Sequence, residues 1–419
     1  MAISGIPLEF DAKPIAPAPA QVPYPVFPAW VMQGTSIYEG LAGPICKVNS
    51  RYPEFMFMSA LVLQMSAWAL HVNYEHRKIV PALGLGIVAP KDTFKSSSVT
   101  DAADYLRQAH RLCYYRKNLT EASVEGNAIF YSSPGSPEAA GLGLYEIGAQ
   151  RAVIFYDELK KLVAKCSIDS SSLSADLLTM LESGSWANHV LKTSFQFEPK
   201  SYCCSLVWCT TDKQFHSLWS RLTGGEDGLD SRTFFLLNPQ HLKPVTPCMD
   251  VKTYEGARRT RARIEKAIVQ GLYRVANLDL WQQAHGTMDN RSVQMAEKFA
   301  LALAVDLGRD CVDEDCQHRG LALAQYRDQV YKWLRPYEAD NKLADVQQRI
   351  LHSLRRAEGG RMKLRDLQRT LSYHRFGTTV WEQALAGLEK EDTVGIDTAD
   401  GKQLRMIWLI AEDEEQADQ

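Results

Sequence analysis

A lysine and a run of serines stand directly behind a short apolar segment. Leu85-Gly86-Ile87-Val88 is followed by Ala89-Pro90-Lys91-Asp92-Thr93-Phe94-Lys95-Ser96-Ser97-Ser98 and then by a helical pattern. A strand, a tight loop and Lys-Ser at a helix N-terminus can hold a nucleoside triphosphate. The N–H groups of loop and helix cradle the phosphates, the lysine neutralises the β and γ oxygens, and the serine hydroxyl takes Mg²⁺. Residues 89–97 are therefore the candidate ATP segment, with Lys95 as phosphate cation and Ser96 as metal ligand. Both glycines of G-x-x-x-x-G-K-[ST] are replaced, by Ala89 and Phe94. A lysine-bearing turn capped by Ser96 gives the same string without any nucleotide.

About 60 residues on, the apolar run Arg151-Ala152-Val153-Ile154-Phe155-Tyr156 ends in Asp157-Glu158. Carboxylates at a strand tip suit Mg²⁺ binding by Asp157 and polarisation of an attacking water by Glu158. The apolar run Ser201 to Cys209 ends in Thr210, Thr211 and Asp212, where Thr210 can orient that water or simply cap a helix. The segment Gly224 to Arg232 reads as a flexible loop delivering Arg232, either to a neighbouring subunit's γ-phosphate or to a surface salt bridge.

These segments resemble the P-loop ATPase module, RecA/AAA+-like, of plasmid and prophage primase-helicases and replication proteins. The matching stretches are APKDTFKSS (89–97), IFYSSPGSPEAAGLGLYE (129–146), AVIFYDELKKLV (152–163), GLDSRTFFLLNP (228–239) and RSVQMAEKFALALAVDLG (291–308). The resemblance runs from about 30 to 335. It implies ATP hydrolysis coupled to DNA, single-stranded or forked, in a homo-oligomeric ring, with Lys95, Ser96, Asp157, Glu158 and Arg232 in the matching roles.

Positioning such a site takes a sheet with helices around it. The chain has 419 residues, 45% apolar and 23% charged, enough for two or three domains with a substantial core. Short apolar runs at 83–88, 128–131, 152–156 and 203–209 alternate with helical patterns at 55–72 and 96–110, which predicts an α/β fold with a mainly parallel sheet. The apolar stretch 55–72 carries Ser59, Gln64, Ser66 and His71, and nothing later repeats it, so a buried helix is expected rather than a membrane span. Seven prolines before residue 29 predict an extended arm outside the fold. From 255 to 356 helical periodicity replaces strands. The expected division is an arm (1–30), an ATPase core (31–245), a helical subdomain (246–338), a winged-helix domain (339–411) and an acidic tail (412–419).

The winged helix-turn-helix is expected from helices at 342–356, 363–371 and 378–388, then strands at 393–396 and 404–409 around the turn Ala399-Asp400-Gly401. Net charge is -3 overall, which excludes a global basic bias. Yet between 349 and 375 eight cations (Arg349, Arg355, Arg356, Arg361, Lys363, Arg365, Arg369, Arg375) face only Glu358 and Asp366, a local excess of six. That patch predicts phosphate contacts, whereas helix 378–388 offers few groups to read base edges. A protein-contact role for the same fold stays open. A second basic run, Arg258 to Lys266, is a further channel or interface candidate. Nine irregularly spaced cysteines without a cleavable signal peptide suit a reducing cytoplasm and free thiols rather than zinc; C-x4-C-x-H at 311–318 lacks paired C-x2-C spacing. Two functions follow: an ATP-dependent helicase-like replication protein of a mobile element, or a DNA-binding initiator or scaffold whose degenerate loop is weakly active or inactive.

Overall fold

The computed structural model describes residues 23–49, 52–75, 79–135, 137–166, 173–190, 193–212, 214–215, 218–219, 228–239, 254–334, 342–371, 373, 377–391, 393–397 and 405–410. The chain forms two compact units, Pro25–Tyr331 and Met1–Tyr24 with Lys332–Gln419.

In the larger unit, strands β1 (Asn73–Tyr74), β2 (Gly84–Val88), β3 (Leu112–Tyr114), β4 (Ala128–Ser132), β5 (Arg151–Tyr156), β6 (Trp186–Val190), β7 (Thr193–Phe197), β8 (Cys203–Thr210), β9 (Thr233–Leu237) and β10 (Leu272–Tyr273) are interspersed with helices, β6 to β8 following one another directly. Six of them make one parallel sheet in the order β3-β4-β5-β8-β2-β9. β2, β5, β8 and β9 are buried at every residue, as strands covered on both faces must be, so they read as unbroken apolar runs. A Cβ at Gly86 would fall 2.3 Å from the Trp208 ring, so glycine there lets the indole lie against β2. The fold is α/β with a mainly parallel sheet.

Helix Pro53–Trp68 is buried from Glu54 to Trp68 and packs on the sheet and on helix Lys95–Gln108. Its serines bond inside the helix: the Ser59 hydroxyl donates to the Phe55 carbonyl at 2.6 Å and the Ser66 hydroxyl to the Val62 carbonyl at 3.5 Å. Among the described residues no helix is long and apolar enough to cross a membrane.

Four expectations about elements need correction. The arm is not wholly outside the fold, because Phe27 is buried and meets Tyr326 edge to face at 5.3 Å; an aromatic ring recovers burial that the flanking prolines do not oppose. Strands do not vanish after 255, since β10 pairs in parallel with β1. Two residues are too few to leave a period. β9 begins directly after the loop expected to end at Arg232, in a stretch for which no strand is expected. Finally, helix Tyr254–Gln270 packs on helices Pro53–Trp68, Lys95–Gln108 and Asn290–Leu307, so the helices through residue 331 belong with the sheet in one unit.

The smaller unit holds helices Lys342–Arg355, Leu364–Leu371 and Thr378–Lys390 with strands β11 (Arg361–Lys363), β12 (Val394–Ile396) and β13 (Met406–Leu409). The sheet is antiparallel, β11-β13-β12. Its core gathers Val346, Ile350, Leu354, Leu367, Trp381, Leu388, Val394 and Ile407. β11 was not expected, and the turn at 399–401 lies outside the described residues.

Candidate active site

Because the six strands are parallel, their carboxyl ends share one edge. The chain leaves β2 toward β3 and leaves β8 toward β9, so its direction across the sheet reverses between two neighbouring strands, the place where open α/β sheets form ligand crevices. Val88 pairs with Thr210 and Tyr156 with Trp208. This register brings the loop 89–94, Thr210 and Asp157-Glu158 to one level.

The loop itself is held in an unusual backbone. Asp92 has φ 61° and Phe94 has φ 55°, both left-handed without glycine. Each is disfavoured by about 1–2 kcal/mol for an L side chain. Phe94 occupies the second glycine position of the motif, so the backbone takes there the form glycine adopts freely. Local hydrogen bonds hold it: Thr93 Oγ1 donates to the Pro90 carbonyl at 2.9 Å, and the Ala89 N–H donates to Thr210 O at 3.2 Å. Lys91 and Asp92 are exposed and Thr93 is buried. Phe94 is the N-cap of helix Lys95–Gln108 and supplies no side-chain cap, so the leading N–H groups of Lys95, Ser96 and Ser97 have no intrahelical acceptor.

Lys95 is half-buried and its Nζ donates to Pro90 O at 2.9 Å. Burial lowers its ammonium below the usual lysine range, opposed by the neighbouring Cys209 and by the carboxylates of Asp212, Asp92 and Glu158. Ser96 Oγ donates to the Asp157 backbone carbonyl at 3.2 Å across 61 residues of sequence. The Cys209 thiol lies beside Ser96 and is pushed up to about 12 by burial. Thr210 is 5% exposed and its Oγ1 is buried without a hydrogen-bond partner. Asp157 accepts from Lys161 Nζ at 2.7 and 2.9 Å, with Ser133 Oγ at 3.5 Å. Its neighbour Glu158 is exposed. Lys161, Ser133, Cys209 and Asp212 were not singled out as site residues. The i, i+4 spacing of Asp157 and Lys161 is the one signal that sequence offers for them.

Arg232 lies elsewhere. It closes the turn Asp230–Arg232 just before β9, and Thr233 pairs with Gly84 while Leu237 pairs with Val88. It therefore sits at the amino edge, about 17 Å along the strand from the loop. It is not on a loose loop either: its guanidinium donates to Glu182 and to the Gly228 carbonyl. Glu182 also binds Arg291 at 2.8 Å, and despite the opposing effect of burial these arginines keep its carboxyl below the usual range.

In the smaller unit Arg355, Arg356, Arg361, Lys363, Arg365 and Arg369 are exposed. None forms a salt bridge among the described residues; Arg375 lies outside them. Arg356 stacks over Trp333 at 5.2 Å. The second basic run is mostly engaged inside its own unit: Arg258 with Glu255, Arg259 with Glu39, Arg261 with Glu265, Lys266 with Asp310, and Arg263 with the Asp306 carbonyl. Among the described residues no three His, Cys, Asp or Glu side chains are grouped to hold a metal ion.

No protein-family model and no curated protein matches this chain.

Proposed function

We propose that the chain is an ATP-dependent, helicase-like motor or switch acting on DNA, a replication protein of a mobile element. The observation that carries this reading is the hydrogen bond from Ser96 to Asp157, which joins the Lys-Ser segment to the acidic strand tip. Two motifs found separately in sequence thus meet at the reversal point of the sheet.

The residues suit a phosphate chain. Uncapped N–H groups at Lys95 to Ser97, the Lys95 ammonium and the partnerless Thr210 hydroxyl all need an anionic or polar partner. Ser96 and Asp157 would hold Mg²⁺, which when bound neutralises developing phosphate charge. Asp157 must then loosen its ion pair with Lys161. Glu158, exposed beside it, is free to orient water. Arg232 is too far from the loop of its own chain and acts, on this reading, at a neighbour's site in a ring. The smaller unit is read as a winged helix that binds DNA phosphates through its exposed cations.

A second reading, a DNA-binding initiator or scaffold with a weak nucleotide site, draws on Phe94, whose ring stands where close phosphate approach favours glycine. Hydrolysis separates them. Purified protein with Mg²⁺ and ATP is expected to release phosphate, faster with DNA. Lys95→Ala abolishes turnover, and Glu158→Gln retains ATP binding but stops turnover. Wild-type protein that binds ATP without hydrolysing it would favour the second reading, and Lys95→Ala turnover equal to wild type would remove the site.

A further inference from the structure

The face of the small sheet turned away from its core carries an aromatic ring beside two cations of β11. Met362 and Ile407 form one cross-strand pair, and both belong to the core side. Side chains alternate along a strand, so Arg361, Lys363 and Trp408 share the opposite face. Arg361 is paired directly with Trp408. On the other side Trp408 is paired with Gly395. A Cβ on Gly395 would lie 2.3, 2.5 and 2.6 Å from Cε2, Cζ2 and Nε1 of Trp408. Three ring atoms at nearly equal distance mean that the glycine meets the flat of the indole, not its edge. The other flat of the ring then looks outward.

Trp208 lies against Gly86 by a similar device, but that ring is fully buried against Phe215, Trp219 and Phe235. Trp408 is only partly buried, and no ring or hydrogen-bond partner covers it among the described residues. Arg361 and Lys363 beside it are exposed, as are Arg355, Arg356, Arg365 and Arg369, against Glu358, Asp366 and, at the end of β12 on the same face, Asp397.

We propose that this face binds single-stranded nucleic acid, with an unpaired base stacked on Trp408 and the flanking phosphates held by Arg361 and Lys363. The charge of the surroundings selects a polyanion, and the open flat ring selects one whose bases are unpaired, because a duplex buries its base faces in its own stack. An acidic protein segment would satisfy the cations but leaves the ring without a planar partner. This inference rests on the nucleic-acid half of the proposed function and is independent of ATP hydrolysis.

The test uses the full chain and fluorescein-labelled dT20, read by anisotropy over a series of salt concentrations. Trp408→Ala is expected to weaken binding on the order of tenfold, and Trp408→Phe to restore most of it. The salt slope should stay unchanged in Trp408→Ala, because no phosphate contact is lost. Arg361→Ala with Lys363→Ala should instead reduce the slope by about 1.4, from two phosphates at roughly 0.7 each. A blunt duplex should bind the wild type and Trp408→Ala alike. Equal dT20 affinity of the Trp408→Ala and wild-type proteins overturns the proposal. So does an equal loss for duplex and single strand, which would mark a folding defect or a phosphate surface alone. Binding of an acidic peptide in preference to dT20 overturns it in favour of a protein partner. Absence of ATP turnover would leave all of these outcomes readable.

Discussion

Phe94 decides whether the loop can be what its Lys-Ser sequence implies. The sequence lacks both glycines, which argues against a phosphate cradle, yet the backbone at Phe94 and Asp92 is left-handed all the same. No pattern in the string announces this: the conformation is held inside the loop by Thr93 bonding to the Pro90 carbonyl and from outside it by Ala89 bonding to the end of β8 and Ser96 to the end of β5. Strain kept in this way is what functional loops tend to carry. If the left-handed turn aims the N–H groups of Lys95 and Ser96 at phosphate, a β-branched residue must spoil it, since a side chain branched at Cβ is an outlier at positive φ. Phe94→Val is therefore expected to weaken binding of a fluorescent ATP analogue by tenfold or more, while Phe94→Gly binds at least as well as the parent. Equal affinity of the valine variant and the parent would mean that the conformation serves packing alone. Lys95, Ser96, Asp157 and Thr210 were legible as residue types; the pairing of Asp157 with Lys161 and the partnerless hydroxyl of Thr210 required coordinates.

Length and burial made some elements legible but not all: β9 is as long and as fully buried as β2, yet its apolar run Phe234 to Leu237 is not read as a strand. β2, β4, β5 and β8 stood out because covered strands are continuous apolar runs, and helix Pro53–Trp68 because nothing polar interrupts it for long. β11 did not, since of Arg361-Met362-Lys363 only Met362 is even partly buried, and a single apolar residue has no period. Helix Lys342–Arg355 was read from its amphipathic pattern, but the consequence of His352 on it was not. Burial lowers this imidazole to about 4, with Arg356 and Arg355 pushing the same way. Unfolded, it would titrate near 6.5. Above that value the group is neutral in both states and its contribution is fully present. As pH falls from about 6.5 to about 4, the unfolded chain takes up a proton that the folded unit refuses, so stability is lost across that window and changes little below it. Proteolysis within 342–410 at graded urea is expected to give a midpoint that drops from pH 6.5 to pH 4. In His352→Leu the drop should be smaller, because the carboxylates still titrate. An identical drop in both proteins would assign all of it to those carboxylates.

At the scale of the whole molecule, the parallel sheet fixes what each part of the chain can reach. The carboxyl edge of the sheet collects Lys95, Ser96, Asp157, Glu158 and Thr210, and Arg232 stands at the amino edge, bound to Glu182. A strand of five residues keeps the two apart by about 17 Å, more than an arginine side chain spans. The sequence reading leaves Arg232 either to a neighbouring subunit's γ-phosphate or to a salt bridge; strand direction, invisible in the string, keeps it out of reach of the loop of its own chain. Two roles remain. Either Arg232 completes a neighbour's site, or it is a tie between helix Leu173–Glu182 and the start of β9. A mixture of Arg232→Ala and Lys95→Ala proteins distinguishes them. Each variant alone should be inactive if the arginine acts across an interface, because every site in a uniform ring lacks one of the two groups. In a mixed ring some interfaces join an intact loop from one chain to an intact Arg232 from the next, and turnover should return at a fraction set by the mixing ratio, largest near equal amounts. If Arg232 is only a tie, Arg232→Ala melts at a lower temperature, its own ATP turnover survives below that temperature, and mixing adds nothing beyond the sum of the parts.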